Sequence, residues 1–392
     1  MFAVLDRARK LSALTVALVA TLILSACGAT MSNSGGPRID TSQPVPVALL
    51  VPGGSANATD NALASSLENA ARLAMSELDG VTIDLRVYNT AGNAGTASSQ
   101  AQAAIADGAK VILGPVYAEN AAAAGVAAAA RGVNVLAFSN NPSVAGGNVF
   151  ILGNTFENTA KRMVSYAARQ NRGNIMVVYG KSPAENLARD AILQAIASTP
   201  GASQAGTAGF ELSQNGVVQA IPAISSQVKS SGATSVFLTS GTDGALPFAS
   251  SLLRENGVNP PAVQFMGMQR WDIPATALTL SGVQGGWFAL PDPDLSGRFT
   301  QRYQAAYGAQ PHPIAGLAYD GIAAIGALVK AGKADALSGS ALTQSQGFVG
   351  VNGVFRLRGD GTNERGLAIA QIQNQQVVVI DPAPKSFSGA GF

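Results

Sequence analysis

The sequence has a single cysteine, Cys27, and a single histidine, His312, among its 392 residues. The lone cysteine has no intramolecular disulfide partner. The lone histidine allows a Ser-His-Asp triad only through His312 and leaves a histidine-based metal site without a second imidazole. His312 lies between Pro311 and Pro313, which is typical of an exposed loop. We therefore predict no catalytic residue, no metal site and no cofactor.

The sequence also lacks an apolar run long enough to cross a membrane comfortably. The apolar stretch 11–24 has 14 residues, whereas a helix needs about 20 to span a hydrocarbon core. It follows a basic segment with Arg7, Arg9 and Lys10, and it precedes the small residues Ser25 and Ala26. This arrangement predicts a secretory signal peptide over residues 1–26, which is removed from the mature protein.

Charged residues are scarce, at 12% of the chain, whereas hydrophobic residues make up 47%. This composition favours a well-buried globular body over a disordered chain. Removing residues 1–26 takes three basic and one acidic residue from totals of 25 and 23, which leaves 22 of each. The mature chain therefore has no basic field for nucleic acid or anionic lipid.

The four residues that end at Cys27 resemble the lipobox of bacterial lipoproteins, reading Leu24-Ser25-Ala26-Cys27. The resemblance implies that Cys27 is acylated and that the signal is cut before it; the alternative is an ordinary signal peptide with an incidental cysteine. Several acyl chains would hold the protein firmly in a membrane. Residues 27–46, rich in Ser, Gly, Pro and Thr, are predicted to be a lipidated flexible tether.

From residue 47 onward, short β-type runs alternate with Ala-rich helical patterns, which is typical of a parallel sheet covered by helices. We predict an α/β fold of two doubly wound lobes, because a single sheet would need ten or more strands. Lobe one comprises 47–150 and 291–346, and lobe two comprises 151–290 and 347–384. Three crossovers join them, and antiparallel hairpins at the C-terminus close over lobe two.

In open α/β sheets, ligands bind at loops that follow the carboxyl ends of the strands. Such loops offer aromatic rings for stacking and charged or polar groups for orientation. The predicted ligand-binding residues are Ser55, Tyr117, Glu119, Ser139, Asn140, Tyr179, Asp243, Arg270 and Trp271.

Two nucleotide-binding motifs fail on spacing. Gly180-Lys181-Ser182 follows a strand, but Ile175 stands where a phosphate-binding loop requires glycine. The first strand is followed by no G-x-G-x-x-G sequence. A two-carboxylate hydrolase remains an alternative, although Glu119, Asp243 and Asp272 lie on separate loops.

The order of elements over residues 46–382 resembles the leucine/isoleucine/valine-binding proteins, a type I periplasmic binding protein family. The matching stretches are 111–115, 133–139, 179–180, 285–291, 299–307 and 317–320. The resemblance implies that two lobes close around an amino acid or another small polar molecule and deliver it to an ABC permease. Amino-acid binders hold the ligand carboxylate with hydroxyls and amides of two lobe-one loops. Ser139 matches this pattern, whereas Glu119 would repel a carboxylate.

The lipobox, residues 287–293 and the segments 355–356 and 381–384 are also similar to lipoprotein activators of penicillin-binding proteins. Those proteins use the same fold to stimulate peptidoglycan synthases. Gly28 after the cysteine agrees with sorting to the outer membrane. Two hypotheses follow: a non-enzymatic binding lipoprotein that takes a small polar, amino-acid-like or peptide-like ligand, and an activator that contacts a synthase through a degenerate cleft.

Overall fold

A computed structural model describes residues 36–387, so the predicted signal peptide, Cys27 and the first part of the tether lie outside the described residues. None of the described helices is long and apolar enough to cross a membrane. The strands are β1 (Val45–Val51), β2 (Ile83–Asn89), β3 (Val111–Leu113), β4 (Asn134–Ala137), β5 (Val149–Ile151), β6 (Asn174–Gly180), β7 (Ser203–Phe210), β8 (Ser235–Leu238), β9 (Gln264–Gly267), β10 (Trp287–Leu290), β11 (Phe348–Gly350), β12 (Gly353–Leu357), β13 (Asn363–Arg365), β14 (Ala368–Gln373) and β15 (Gln376–Asp381).

Ten α-helices lie within the described range 36–387, and several begin at a side chain that caps the first turn. Asn57, Asn93, Thr155, Ser182 and Ser213 each accept a hydrogen bond from an amide of the first turn. The helices are α1 (Ala58–Ser76), α2 (Ala94–Ala106), α3 (Ala118–Ala129), α4 (Phe156–Arg169), α5 (Pro183–Ser198), α6 (Gln214–Ser230), α7 (Leu246–Glu255), α8 (Pro293–Tyr307), α9 (Gly316–Lys330) and α10 (Gly339–Leu342).

Lobe one is built on a five-stranded parallel sheet with the order β2-β1-β3-β4-β5. Its central strands are buried on both faces, as expected for a parallel sheet sandwiched between helices. Apolar side chains of α1, α8 and α9 cover one face, and small alanines of α2 and α3 cover the other. The chain therefore returns to lobe one for α8 and α9.

Lobe two is built on a seven-stranded sheet with the order β15-β14-β10-β9-β8-β6-β7. Strands β6 to β10 run parallel, and β14 and β15 add an antiparallel edge. Helices α4 and α5 pack on one face, and α6 and α7 pack on the other. The two parallel sheets confirm the predicted α/β architecture. Strand β10 joins the parallel part of the sheet beside β9.

The C-terminal region divides between the lobes, which corrects the assignment of all of residues 347–384 to lobe two. Strands β11, β12 and β13 form a separate antiparallel sheet. Phe348, Phe355 and Leu357 of this sheet are buried in the apolar core of lobe one. Only β14 and β15 extend the sheet of lobe two.

The predicted tether also ends earlier than the sequence pattern indicated. Ile39 is 7% exposed and belongs to the core of lobe one. Its amide donates a hydrogen bond to the Ala334 carbonyl at 2.8 Å. Burying the Ile39 side chain in the core is more favourable than leaving it in water. Residues 39–46 are therefore attached to the lobe.

A buried ion pair joins the parts of the chain that pass between the lobes. Asp320 of α9 is fully buried and accepts a hydrogen bond from Arg365 of β13 at 3.1 Å. Asp320 also accepts from the amide of Val351 at 2.7 Å and from Asn352 at 3.0 Å. Arg365 donates from Nε to the carbonyl of Leu152, just after β5, at 2.7 Å. One pair thus connects the first crossover, α9 and the third sheet.

A second cluster holds β13 against α4. Glu364 is 5% exposed and accepts from Lys161 at 3.1 Å and from Arg356 and Arg358. Burial alone would raise the pKa of Glu364, but the hydrogen bonds from Lys161 and Arg356 and the surrounding positive charge lower it to about 2. The carboxylate is therefore stabilised in its charged form.

We expect Asp320→Asn to lower the free energy of unfolding by about 3 kcal/mol, because it leaves the buried Arg365 guanidinium without its counter-charge. Urea denaturation measures the change. The control is Asp79→Asn, which removes the exposed ion pair between Asp79 and Lys330 and should change stability by less than about 0.5 kcal/mol. Equal effects of the two substitutions would contradict the role assigned to the buried pair.

The low pKa of Glu364 predicts a specific loss of stability in acid. The stabilisation is complete above the unfolded-state pKa of 4.5 and is lost as the pH falls towards the folded-state value of about 2. Its size is about 2 kcal/mol, allowing for the half-exposed basic partners. Urea denaturation between pH 7 and pH 2.5 should show a smaller acid-induced loss for Glu364→Gln than for the unaltered chain. Parallel curves would refute the assignment.

Candidate functional site

The loops that follow the parallel strands are the natural place for a site in this fold, because strand carboxyl ends and helix N-termini meet there. In lobe two, Thr242 and Asp243 follow β8, and Gln269 to Pro274 follow β9. These two loops line an open pocket of about 320 Å³. The pocket is lined by Thr242, Asp243, Gln269, Arg270, Ile273 and Pro274. We call it the lobe-two pocket.

The lobe-two pocket has one neutralised and one free charge. Arg270 donates to both carboxylate oxygens of Asp272, with an Nε to Oδ1 distance of 2.9 Å. Asp243 is exposed and forms no ion pair with any residue in the range 36–387. The Thr242 hydroxyl donates to the carbonyl of Ile273 at 2.5 Å and fixes the two loops to each other. The pocket therefore presents a free carboxylate beside a guanidinium held by its own lobe.

Beside this pocket, the carboxylate of Glu185 gathers donors from two strand ends. Its Oε2 accepts from the amide of Gly180 at 2.6 Å, from the Thr239 hydroxyl at 2.7 Å and from the Ser240 hydroxyl at 2.8 Å. Thr239 and Ser240 are each 1% exposed. Glu185 was not among the residues predicted from the sequence, although Ser182 and Glu185 have the spacing of a capping box, which could have indicated it.

In lobe one, Tyr117 lies at the start of α3 and is 39% exposed. Its hydroxyl donates to Oδ1 of Asp60 in α1 at 2.5 Å. The hydrogen bond to Asp60, with a contribution from burial, raises the pKa of Tyr117 to about 12. Asp60 was not among the residues predicted from the sequence, since it lies inside a helix rather than in a loop after a strand. This pair offers an aromatic ring and a carboxylate with no ion pair inside the described chain.

The remaining predicted residues of lobe one are used locally or lie in solvent. Ser55 accepts from the amide of Asn57 at 3.0 Å, and Ser139, 4% exposed, accepts from the amide of Asn141 at 3.1 Å. Glu119 and Asn140 are exposed. Both serine hydroxyls act as acceptors in these bonds, so the role of Ser139 in holding a ligand carboxylate stays a prediction.

Tyr179 and Trp271 are not available as stacking rings in the lobe-two pocket. Tyr179 lies against Gly209 on the neighbouring strand, with the Arg189 guanidinium 4.8 Å above the centre of its ring. Trp271 is fully buried in the core of lobe two, so its prediction as a ligand-binding residue is wrong. Its ring fills the space that a Cβ would need at Gly267 and Gly286.

The lone histidine is used within lobe one. The amide of His312 donates to the Ser66 hydroxyl at 2.8 Å, and its Nδ1 accepts from the amide of Ile314 at 3.3 Å. Burial lowers the pKa of His312. Within residues 36–387, no three His, Cys, Asp or Glu side chains are grouped so as to hold a metal ion.

Two doubly wound lobes with polar loops at the strand ends place this protein in the two-lobed α/β class. The sequence model of the periplasmic binding protein family matches residues 44–376. This chain belongs to that family, whose members act in the periplasm. A search of curated protein sequences gives no match.

Solved structures with this fold include several ABC transporter binding proteins. One is a branched-chain amino acid ABC transporter protein from Rhodospirillum rubrum, with a TM-score of 0.73 and 16% identity over 86% of this chain and 100% of that one. A substrate-binding protein from Desulfitobacterium hafniense in complex with Leu has a TM-score of 0.64 and 16% identity over 86% and 100%. A solute-binding protein from Rhodopseudomonas palustris with 3,4-dihydroxybenzoic acid has a TM-score of 0.59 and 15% identity over 88% and 97%. At these identities the likeness shows the fold alone.

The burial of Trp271 predicts a structural role. We expect Trp271→Ala to lower the free energy of unfolding by about 3–5 kcal/mol, because it opens a large cavity beside Gly267 and Gly286. Urea denaturation measures this change. Phe248→Ala is the matched control, since Phe248 is 51% exposed, and it should change stability by less than about 0.5 kcal/mol. A stable Trp271→Ala protein would show that the ring is not part of the core.

Proposed function

We propose that this chain is a non-enzymatic binding lipoprotein that holds a small polar ligand between its two lobes and presents it to an ABC permease. The observation that carries the proposal is the lobe-two pocket, where Asp243 and Arg270 lie at the strand ends of a chain with the periplasmic binding protein fold. Pockets of this size with a few fixed polar groups are typical small-molecule sites.

The charges of the strand-end loops favour a ligand that carries a cationic group. The carboxylates of Asp60, Glu119 and Asp243 form no ion pair with another described residue. The basic residues of the same loops are already paired within lobe two, Arg270 with Asp272 and Lys181 with Glu211. The negative charge left over attracts an amino or guanidino group, as in an amino acid or a short peptide.

Anchoring at Cys27 fits this function. The lipobox ending at Cys27 supports acylation. Sorting to the outer membrane, which Gly28 supports, would place the anchor away from a permease in the plasma membrane and agrees better with the second candidate below. A lipid anchor would keep the binding body next to the envelope without a spanning helix.

A second candidate is activation of a peptidoglycan synthase of the penicillin-binding protein class. It is favoured by the lobe-one segment that follows β3. There Tyr117 is hydrogen-bonded to Asp60, and Glu119 stands in place of a hydroxyl that would hold a ligand carboxylate. Such a loop is poorly suited to the usual amino-acid cargo. Under this candidate the lobes bind a protein rather than a small molecule.

A thermal-shift screen separates the two candidates. The panel contains leucine, lysine, arginine, short peptides, 3,4-dihydroxybenzoic acid and cell-wall fragments. A ligand present at about 100 times its Kd adds about 2.7 kcal/mol and raises the melting temperature measurably. Stabilisation by a member of the panel supports the binding function. A flat response to the whole panel, together with capture of a peptidoglycan synthase, supports activation instead.

For any ligand that stabilises the chain, we expect Asp243→Ala to reduce the affinity at least tenfold, because it removes the free carboxylate of the lobe-two pocket. Isothermal titration calorimetry measures the affinity. Glu255→Ala is the control, since Glu255 is an exposed carboxylate at the far end of α7. Unchanged affinity in Asp243→Ala would exclude the lobe-two pocket as the ligand site.

A further inference from the structure

Glu185 makes a contact set that differs from those of other carboxylates near the strand ends. Three donors converge on its Oε2: the amide of Gly180 and the hydroxyls of Thr239 and Ser240, all within 2.6–2.8 Å. Ser240 also lies 3.0 Å from Oε1. No lysine or arginine among residues 36–387 forms an ion pair with Glu185. Hydrogen-bond donors alone hold this charge.

Capping of α5 explains only part of this arrangement. The amide of Glu185 donates to the Ser182 hydroxyl at 3.2 Å, as in the first half of a capping box. In the second half of a capping box, the glutamate bonds back to the N-cap amide. Here the carboxylate reaches past Ser182 to Gly180, at the end of β6, and across to the two hydroxyls after β8. It therefore links two strand ends in addition to capping the helix.

The backbone leaves room for this carboxylate. A Cβ at Gly180 would collide with the Glu185 carboxylate and with Leu212. A residue with a side chain at the end of β6 would thus push Glu185 away from its three donors. The glycine, the two buried hydroxyls and the carboxylate form one fitted unit.

An amide and two hydroxyls directed at one oxygen are the donor set that proteins use to bind a carboxylate without a cation. If the carboxylate is removed, the buried hydroxyls of Thr239 and Ser240 lose their acceptor. The vacated space then has the chemistry of a receptor for a small carboxylate. In the native chain that receptor is filled by Glu185.

We propose that Glu185 is the built-in occupant of a carboxylate-binding site in lobe two and sets ligand specificity by keeping ligand carboxylates out of it. The specificity role rests on the proposed binding function, whereas the occupied site does not. A ligand carboxylate that approached these donors would meet the negative charge of Glu185 instead. Contacts of a ligand with lobe two are then left to the neighbouring lobe-two pocket with Asp243.

The test is chemical rescue of Glu185→Ala by acetate. We expect this variant to have a lower melting temperature than the native chain in sodium chloride. Sodium acetate at equal ionic strength should raise its melting temperature by about 3 °C, because acetate refills the site. The native chain should not respond. The control is Glu211→Ala, which removes an exposed carboxylate paired with Lys181 on the same side of lobe two.

A melting temperature of Glu185→Ala that is the same in acetate and chloride overturns the proposal, and so does an equal acetate response in all three proteins. If Glu185→Ala does not remain folded, refolding from urea is compared in the two salts. A higher yield in acetate than in chloride supports the site, and equal yields overturn it. The melting temperatures and refolding yields are measured without a cleft ligand. They therefore test the occupied site even if no ligand in the screen binds the native chain.

Discussion

The buried pair of Asp320 and Arg365 holds together the regions where the chain passes between its lobes. Removing two charges from water is unfavourable unless further hydrogen bonds compensate, and here Val351, Asn352 and the Leu152 carbonyl supply them. Those partners come from the first crossover and from the third sheet, and Asp320 itself lies on α9. Each buried charge is stabilised only where all of these segments meet. The pair therefore favours one arrangement of the crossovers.

The site depends on a second constraint, the direction of the strands. Parallel strands place all their carboxyl ends at one edge of each sheet, so the loops after β8 and β9 come together around one pocket. Within that edge, lobe two neutralises its own basic residues: Arg270 is paired with Asp272 and Lys181 with Glu211. The free charge that faces solvent near these loops is negative. A cationic group that approached these loops would find a partner without displacing an existing one.

The α/β fold could be predicted because buried parallel strands and capped helices leave local patterns in the sequence. The third sheet could not, since Phe348 and Phe355 look like core residues of either lobe until the packing of α9 is known. Trp271 was misassigned for a related reason: the sequence shows an aromatic residue after a strand, but only the glycines at 267 and 286 reveal where the ring goes. Contacts such as Tyr117 with Asp60 join positions 57 residues apart and leave no local pattern.

The fold alone does not determine the ligand, because the loops of each family member carry their own charges. The D. hafniense and R. palustris proteins bind leucine and 3,4-dihydroxybenzoic acid, which both carry a carboxyl group. In this chain the amide of Asn141 already donates to Ser139, and the hydroxyls of Thr239 and Ser240 already donate to Glu185. Such donors cannot bind a second acceptor equally well. Several hydrogen-bond donors that could recognise an anion are thus already bonded within the fold. The loop charges that remain unpaired are carboxylates.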